Sequence, residues 1–230
     1  MKVNDIIKHY QVYSILHKKE ENISGICRDK ILGHDRFIKY IPKKAKRNEV
    51  DNLLELDHRR IPKIIDIVEY DHGTYFLMEY IRGMSVDEYF KQVKVSFSDM
   101  LTLLIHLSMI LEHVHCVSII HGDIKLENLI IDEQCGVHLI DFGSSFTDVD
   151  SGSFTVEYVA PERLLSQYRA DERSDIYSFG VLMAKMNQYL SFSYVKKYKL
   201  KKVISKCKQV NPSNRFKCAS ELKDALLKIR

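Results

Sequence analysis

The stretch "HGDIKLENLI", residues 121–130, decides how the rest of this sequence is interpreted. It combines a histidine, an aspartate, a lysine, a glutamate and an asparagine between two apolar runs, "LEHVHCVSII" and "IIDEQCGVHLI". A solvated turn between buried elements tolerates polar residues but does not require this mixture. The surrounding sequence must therefore decide whether these side chains carry chemistry.

Length and composition set broad limits on the protein. The chain has 230 residues, 45% of them hydrophobic, which is enough for a sizeable core in one large domain or two small lobes. A net charge of +4 is only mildly basic and argues against a dedicated nucleic-acid-binding protein. The 5 cysteines include no CxxC pair, so neither a zinc site nor a disulfide framework is indicated, and we predict a reducing, cytoplasmic location.

Neither a signal peptide nor a membrane span is expected. The start, "MKVNDIIKHY", has Asp5 and Lys8 among its few apolar residues. The most apolar window, residues 101–120, carries His106, Glu112 and His113, which is more polarity than expected of a span of about 20 apolar residues. We predict that this window is a buried helix.

Residues 10–80 have the pattern of an antiparallel sheet. Short segments rich in β-branched and aromatic residues predict the strands "YQVYSIL", "ISGIC", "RFIKYI", "KIIDIVEY" and "TYFLMEY", and the last two flank the turn "DHG". One helix interrupts them around "KRNEVDNLLELDH", where Val50, Leu53 and Leu54 recur at near-helical spacing.

After residue 84 the pattern changes to longer helices. Ser85 and Glu88 of "SVDE" predict a capping box at the start of the first. Further helices are predicted at about 97–118, 174–189, 198–209 and 217–229. The predicted fold class is α+β, with a single domain over 1–230 that has an N-lobe at about 1–80 and a C-lobe at about 84–230.

Further motifs accompany the opening stretch. They are, in chain order, "FIKY" at 37–40, "LIDFGSS" at 139–145, "VEYVAPE" at 156–162, "DIYSFGV" at 175–181 and "NPSNRF" at 211–216. Together they resemble the eukaryotic-type serine/threonine protein kinases over nearly the whole chain. The resemblance implies a two-lobed protein-kinase-like fold that uses ATP to phosphorylate Ser and Thr hydroxyls of protein substrates.

The resemblance assigns roles around the transferred phosphoryl group. Phosphoryl transfer needs metal ions held between phosphates, a cation on the non-transferred phosphates and an oriented hydroxyl. Asp123 is implied to be the catalytic carboxylate, and Lys125, typical of serine/threonine kinases, to contact both Asp123 and the phosphate, braced by Thr155. Asn128 and Asp141 are the implied ligands of Mg²⁺ or Mn²⁺.

The resemblance also assigns ATP-binding residues in the N-lobe. Lys39 is implied to pair with the α and β phosphates and to be oriented by a helix carboxylate. Glu49 is preferred to Glu55 for that carboxylate because of its register relative to "LDHRRIPKII". Glu79 and Ile81 are implied to hydrogen bond to adenine through their backbones.

Other matching residues are interpreted as architectural. His121 and Phe142 would pack in a column of apolar side chains, and Asp175 would hold the backbone near Asp123. Glu162 and Arg215 would form a buried ion pair. The histidines of the helical part are taken as ordinary helix residues.

Two departures affect the nucleotide site. None of the three glycines of the family's phosphate-covering loop is present in "LHKKEENISGIC", and Gly25 falls too late to serve. The loop is held away from the phosphates, or Lys18 and Lys19 replace backbone donors with charge, or ATP binding is weak. Phe37 stands where the family usually carries a small alanine against adenine, near Met78 at the rear of the pocket.

A third departure concerns regulation. Gly122 replaces the arginine that usually precedes the catalytic aspartate and receives an activation-loop phosphate. Activity is therefore expected not to depend on loop phosphorylation, while autophosphorylation stays open. The hydroxyl side chains of this loop are Ser144, Ser145, Thr147, Ser151 and Ser153.

A lysine-rich stretch lies between "DIYSFGV" and "NPSNRF", in a region that is short for the family. It is interpreted either as a solvated helical face or as a binding surface for an acidic partner or substrate. Its lysines are Lys196, Lys197, Lys199, Lys201, Lys202, Lys206 and Lys208.

Three functions remain after the sequence has been interpreted. An active kinase is favoured because a full set of metal, phosphate and nucleophile residues is present. A pseudokinase that binds a nucleotide or a partner is supported by the missing glycines and Phe37. A small-molecule phosphotransferase is the third, since "HGD" is common in that group, but Lys125 and the pairing of "APE" with Arg215 argue against it.

Overall fold

The computed structural model describes residues 1–19, 22–43, 48–147, 154–164, 171–189 and 194–229. Contacts between residues divide the chain into two compact units, Met1–Asp57 with Pro62–Ile81 and His58–Ile61 with Arg82–Arg230. The first unit is mostly sheet and the second mostly helix, so the predicted α+β class is confirmed. Ser151 and Ser153, named above as loop hydroxyls, lie outside the described residues.

The first unit is built on an antiparallel sheet with strand order β1-β2-β3-β4-β6-β5. One face packs Val12, Cys27, Ile38 and Leu77 into a core. Each predicted strand is present. Strand β1 was not predicted, because two residues are too few to show a strand pattern. The strands are β1 Ile6–Ile7, β2 Tyr10–Lys19, β3 Asn22–Asp29, β4 Asp35–Pro42, β5 Ile64–Tyr70 and β6 Gly73–Glu79, and helix α1 is Asn48–Leu54.

Gly25 is needed by the sheet itself. The pairing of β2 with β3 is irregular between Val12 and Ser14, and the strands approach closely there. A Cβ atom on Gly25 would lie 2.2 Å from the carbonyl oxygen of Ser14. Glycine is therefore required at this position by strand packing.

The second unit contains five α-helices and a small sheet with order β7-β8-β9 within the described residues. The predicted capping box is confirmed, because Ser85 Oγ accepts the Glu88 amide at 3.2 Å and Glu88 Oε2 accepts the Ser85 amide at 3.1 Å. The elements are β7 Gly83–Ser85, α2 Val86–Gln92, α3 Phe97–Cys116, β8 Leu129–Asp132, β9 Val137–Leu139, α4 Glu172–Met186, α5 Tyr194–Cys207 and α6 Ala219–Leu227.

Two of these helices begin earlier than predicted. Asp171 caps α4 by accepting the amide of Arg173, a capping residue that the sequence interpretation overlooked. Residues 195–199 of α5 are exposed, including Val195, so they form no apolar stripe that would mark the start of the helix.

Helix α3 is the core helix of the second unit. Of the helices in the described residues, it alone is long and apolar enough to cross a membrane by length and composition, and 56% of its apolar window is buried inside the protein. Met100, Leu104 and Leu111 are almost completely buried. Its polar residues do not by themselves exclude a span, but burial supports the predicted buried helix.

The short segment His58–Ile61 packs with the second unit because of Arg60. The carbonyl of Arg60 accepts the amide of Leu139 at 3.0 Å, and its guanidinium lies 3.1 Å from Asp132 Oδ2. His138 Nε2 lies 2.8 Å from the same carboxylate oxygen. Nothing in the sequence pattern predicted this attachment.

The predicted pair of Glu162 and Arg215 is present and buried. The guanidinium forms two parallel bonds, Nη1 to Oε1 at 2.6 Å and Nη2 to Oε2 at 2.7 Å. Arg215 also donates to the carbonyls of Arg173, Gln209 and Val210. Removing the carboxylate partner of this buried guanidinium is therefore expected to destabilise the fold.

Replacing Glu162 by alanine is expected to lower the free energy of unfolding by about 3–5 kcal/mol, because the buried Arg215 charge loses its partner. The control is Asp87→Asn, which breaks the exposed Asp87–Lys91 pair on α2 and should change stability little. Urea unfolding of both variants measures this. Equal, small losses would show that the buried pair is dispensable.

Candidate active site

The loop at residues 121–128, called here the catalytic loop, is held by Asp175 of α4. Asp175 Oδ2 accepts the amide of His121 and Oδ1 accepts the amide of Gly122, both at 2.9 Å. His115 Nε2 lies 2.9 Å from Oδ2. Burial raises the pKa of Asp175, but the hydrogen bonds with His115 and with the Gly122 amide outweigh it and hold the pKa below its ordinary value.

His121 connects this loop to the strand that precedes "DFG". Burial lowers the pKa of His121, so the ring is neutral at neutral pH. Its Nδ1 accepts the amide of Asp123 at 3.3 Å, which leaves Nε2 to donate to the carbonyl of Ile140 at 3.2 Å. The ring also packs edge-on against Phe142 with centroids 4.6 Å apart. One neutral tautomer therefore satisfies both neighbours.

Asp123 lies at the centre of a compact hydrogen-bond cluster. Its Oδ2 is 2.6 Å from Lys125 Nζ and 3.1 Å from Asn128 Nδ2, and its Oδ1 accepts the amide of Thr155 at 3.2 Å. Lys125 Nζ also donates to Thr155 Oγ1 at 2.9 Å. The carboxylate is thus fixed in orientation by three different residues.

Asn128 and Asp141 carry the oxygen donors that suit a hard divalent cation. Asn128 Nδ2 donates to the carbonyl of Asp123 at 2.9 Å, and this orientation leaves its amide oxygen for another partner. Asp141 is exposed, with a left-handed φ of 61°. The described residues contain no group of three or more His, Cys, Asp or Glu that could hold a metal. This donor set fits Mg²⁺, which commonly takes one or two protein carboxylates together with phosphate oxygens.

The first unit contains an ion pair between Lys39 of β4 and Glu49 of α1. Lys39 Nζ lies 2.6 Å from Glu49 Oε2. Glu49 is buried in spite of its charge, whereas Glu55 lies beyond the end of α1 and is exposed. The pair joins the helix to the sheet, and its role with nucleotide phosphates stays a prediction.

The residues expected to contact adenine lie at the end of β6. Phe37 of β4 is directly opposite Met78 of β6 in the strand register. The amide of Glu79 donates to the carbonyl of Lys63 at 3.0 Å. Because the amide of Glu79 is already bonded, the backbone group of this residue that is expected to bond to adenine is its carbonyl. Ile81 follows β6 and is half-buried.

Sequence reasoning missed two residues near Asp123. His115 was treated as an ordinary helix residue, which is wrong because its ring contacts the buried Asp175. Arg163 donates to the carbonyl of Gly122 and had no assigned role. The replacement of the usual arginine by Gly122 was the one available signal that another cation could be used here.

Comparison with known proteins identifies the family and the fold. A family model described as the protein kinase domain matches residues 10–228, which confirms the predicted resemblance and its fold. Ribosomal protein S6 kinase alpha-3 of Homo sapiens and of Mus musculus is 34% identical over 145 residues, 60% of this chain and 20% of the relative. Serine/threonine-protein kinase PrkC of Bacillus subtilis is 30% identical over 145 residues, 60% of this chain and 22% of the relative. The chain spans about a fifth of the length of these relatives.

Stability should fall as the pH drops from 7.5 to 5.5. Burial lowers the pKa of both His121 and His58 below the ordinary histidine value of 6.5. Below that pH the unfolded chain binds protons that the folded chain does not, so the free energy of unfolding decreases. Urea unfolding at both pH values measures the drop, and His58→Asn should reduce it. Equal or greater stability at pH 5.5 would contradict the burial of neutral histidines.

Proposed function

This chain belongs to the protein kinase domain family, and on that premise we propose that it transfers the γ-phosphoryl group of ATP to Ser and Thr hydroxyls of protein substrates. The observation that carries the proposal is the cluster of Asp123, Lys125 and Thr155. It combines a fixed carboxylate with a cation at the distance of a direct hydrogen bond, which is what an oriented nucleophile and a charged phosphoryl group require.

Asp123 is proposed to orient the acceptor hydroxyl and to take its proton. Thr155 holds Oδ1 and Lys125 holds Oδ2, so the carboxylate faces the acceptor without a conformational search. Lys125 is in turn proposed to contact the transferring phosphate. Through its amide and its hydroxyl, Thr155 connects Asp123 and Lys125 to the segment that begins at residue 154.

Lys39, Glu49, Asn128 and Asp141 are proposed to bind the nucleotide. Lys39 pairs with the α and β phosphates, and Glu49, 2.6 Å away, keeps the ammonium group in place. Asn128 and Asp141 would hold Mg²⁺ or Mn²⁺ together with the nucleotide phosphates. Mg²⁺, when bound, neutralises charge on the phosphates.

A protein acceptor is favoured over a small molecule by the segment at residues 154–164. Tyr158 and Ala160 are buried, and Ser178 of α4 donates to the carbonyl of Tyr158 at 2.9 Å. Thr155 lies directly beside Asp123. An ordered backbone at this position supports the binding of an extended peptide next to the carboxylate.

The second candidate is a pseudokinase that acts as a nucleotide-binding or partner-binding scaffold. The observation in its favour is Phe37, a bulky ring opposite Met78 where adenine would pack. Gly25 gives no help at the phosphates because the sheet needs it. Lys18 is exposed and available as a substitute cation, while the side chain of Lys19 lies outside the described residues.

We also propose an acidic protein partner for α5. The lysines of the stretch Lys196 to Lys208 are all exposed, which gives this helix a positive surface that fits acidic segments. Three of them lie over aromatic rings, namely Lys196, Lys202 and Lys206.

The free thiols of all the cysteines suit the reducing, cytoplasmic setting that we propose for the reaction.

Two alanine variants should separate catalysis from metal binding. Asp123→Ala should lower turnover by about 10²–10⁴-fold, because the acceptor hydroxyl loses its base, yet bind Mg²⁺-ATP nearly as the wild type does. Asp141→Ala should lose the Mg²⁺ enhancement of ATP binding, because a carboxylate ligand has gone. Radiolabel transfer from ATP with Mg²⁺ or Mn²⁺, together with calorimetric titration, measures both effects.

Asp87→Asn is the control for this pair, since it removes a carboxylate on α2 outside the cluster. No transfer by the wild type with any of these metals, and partner binding unchanged in both variants, would favour the pseudokinase. Equal loss of Mg²⁺-ATP binding in both variants would contradict the separate roles assigned to Asp123 and Asp141.

Replacing Phe37 by alanine should strengthen ATP binding or leave it unchanged, because the ring narrows the space that adenine would use. Ile26 lies beside Phe37 on β3 and offers a control: Ile26→Val trims a neighbouring apolar side chain without opening the same space. Calorimetric titration with Mg²⁺-ATP measures the affinities. A clear loss of affinity in Phe37→Ala alone would show that the ring is a platform for adenine.

A further inference from the structure

Gly122 is held at both of its backbone groups by side chains from outside the catalytic loop. Its amide donates to Asp175 Oδ1 at 2.9 Å, and its carbonyl accepts a hydrogen bond from Nη1 of Arg163. Asp123 is the next residue in the chain. The peptide that leads into the proposed catalytic carboxylate therefore cannot rotate unless one of these bonds breaks.

Gly122 itself brings no cation to this position, and its backbone conformation suits a glycine. Its φ is +77°, and a Cβ atom there would lie 2.6 Å from the carbonyl oxygen of Ser144 and 3.3 Å from Arg163 Nη1. In this conformation a side chain at residue 122 would be strained by the positive φ and crowded by the carbonyl of Ser144. The guanidinium of Arg163 thus lies beside the point from which an arginine at residue 122 would start.

The same guanidinium contacts two aromatic rings of the segment after "DFG". Its carbon lies 5.1 Å from the ring centroid of Phe146 and 5.4 Å from that of Phe154, within range for cation–π attraction. Phe146 pairs through its backbone with Ile120, just before the catalytic loop. Phe154 precedes Thr155, whose amide bonds to Asp123.

We propose that Arg163 is a positioning residue that takes over, without any phosphate, the ordering of the catalytic loop and of the side chains of Phe146 and Phe154. One planar cation joins the Gly122 carbonyl to both rings, so Asp123 and Thr155 keep their arrangement in the unmodified protein. This inference rests on the proposed phosphoryl transfer. Arg163 would then order the site for phosphoryl transfer, although it is not one of the residues of the family motifs.

Arg163→Leu tests the proposal, with Arg163→Lys as the conservative variant. The leucine variant should lower kcat by about 100-fold through misplacement of Asp123, while the KM for ATP and the stoichiometry of Mg²⁺-ATP binding stay at wild-type values. The kcat of the lysine variant should lie between those of the wild type and the leucine variant, because lysine keeps a charged donor but lacks the planar face of arginine. Arg173→Leu, which removes an arginine paired with Asp171, is the matched control and should keep wild-type kcat.

An unchanged kcat in Arg163→Leu, an equal loss in Arg173→Leu, or a loss matched by a lower binding stoichiometry would overturn the proposal. Hydrogen exchange of the backbone amides at 120–125 and 142–147 separates this outcome from failure of the proposed function. If the wild type transfers no phosphate, faster exchange in Arg163→Leu but not in Arg173→Leu still supports the ordering role. Unchanged exchange in Arg163→Leu would refute that role.

Discussion

The buried carboxylate of Asp175 is the interaction on which the candidate site depends. Its oxygens accept the amides of His121 and Gly122, and an ionised group so deeply buried is tolerated only because these bonds satisfy it. One turn further along α4, Ser178 holds the carbonyl of Tyr158. A single helix therefore fixes both the catalytic loop and the segment that carries Thr155, so the core of the second unit and the chemistry of the site have a common support.

Motifs and periodicity were sufficient for the parts of the structure that local sequence determines. Short segments rich in β-branched and aromatic residues predicted the strands of the first unit, and Ser85 with Glu88 predicted a helix start. The register of Glu49 relative to "LDHRRIPKII" selected it over Glu55, and the structure pairs Glu49 with Lys39. For the strands and the helix start the relevant spacing is short, so that the geometry follows from one strand or one turn. The choice of Glu49 depended instead on the register that the family resemblance implies.

Contacts between distant segments that the family motifs do not include could not be predicted in the same way. Arg163 and Gly122 are 41 residues apart, and His115 and Asp175 are 60 residues apart. No spacing rule joins such pairs, because packing of the whole unit brings them together. Gly25 is the opposite case: it invited comparison with a displaced phosphate-loop glycine, but its neighbour Ser14 shows that the strands require it.

The central claim is that the folded chain itself holds Asp123 ready for transfer, with no prior phosphorylation of the loop. The time course of phosphate incorporation into a protein substrate, started by adding Mg²⁺-ATP to phosphatase-treated protein, tests this most directly. We expect a linear course from the first turnover, unaffected by preincubation with ATP. No transfer, or a lag that preincubation removes and that shortens as the protein concentration rises, would contradict it.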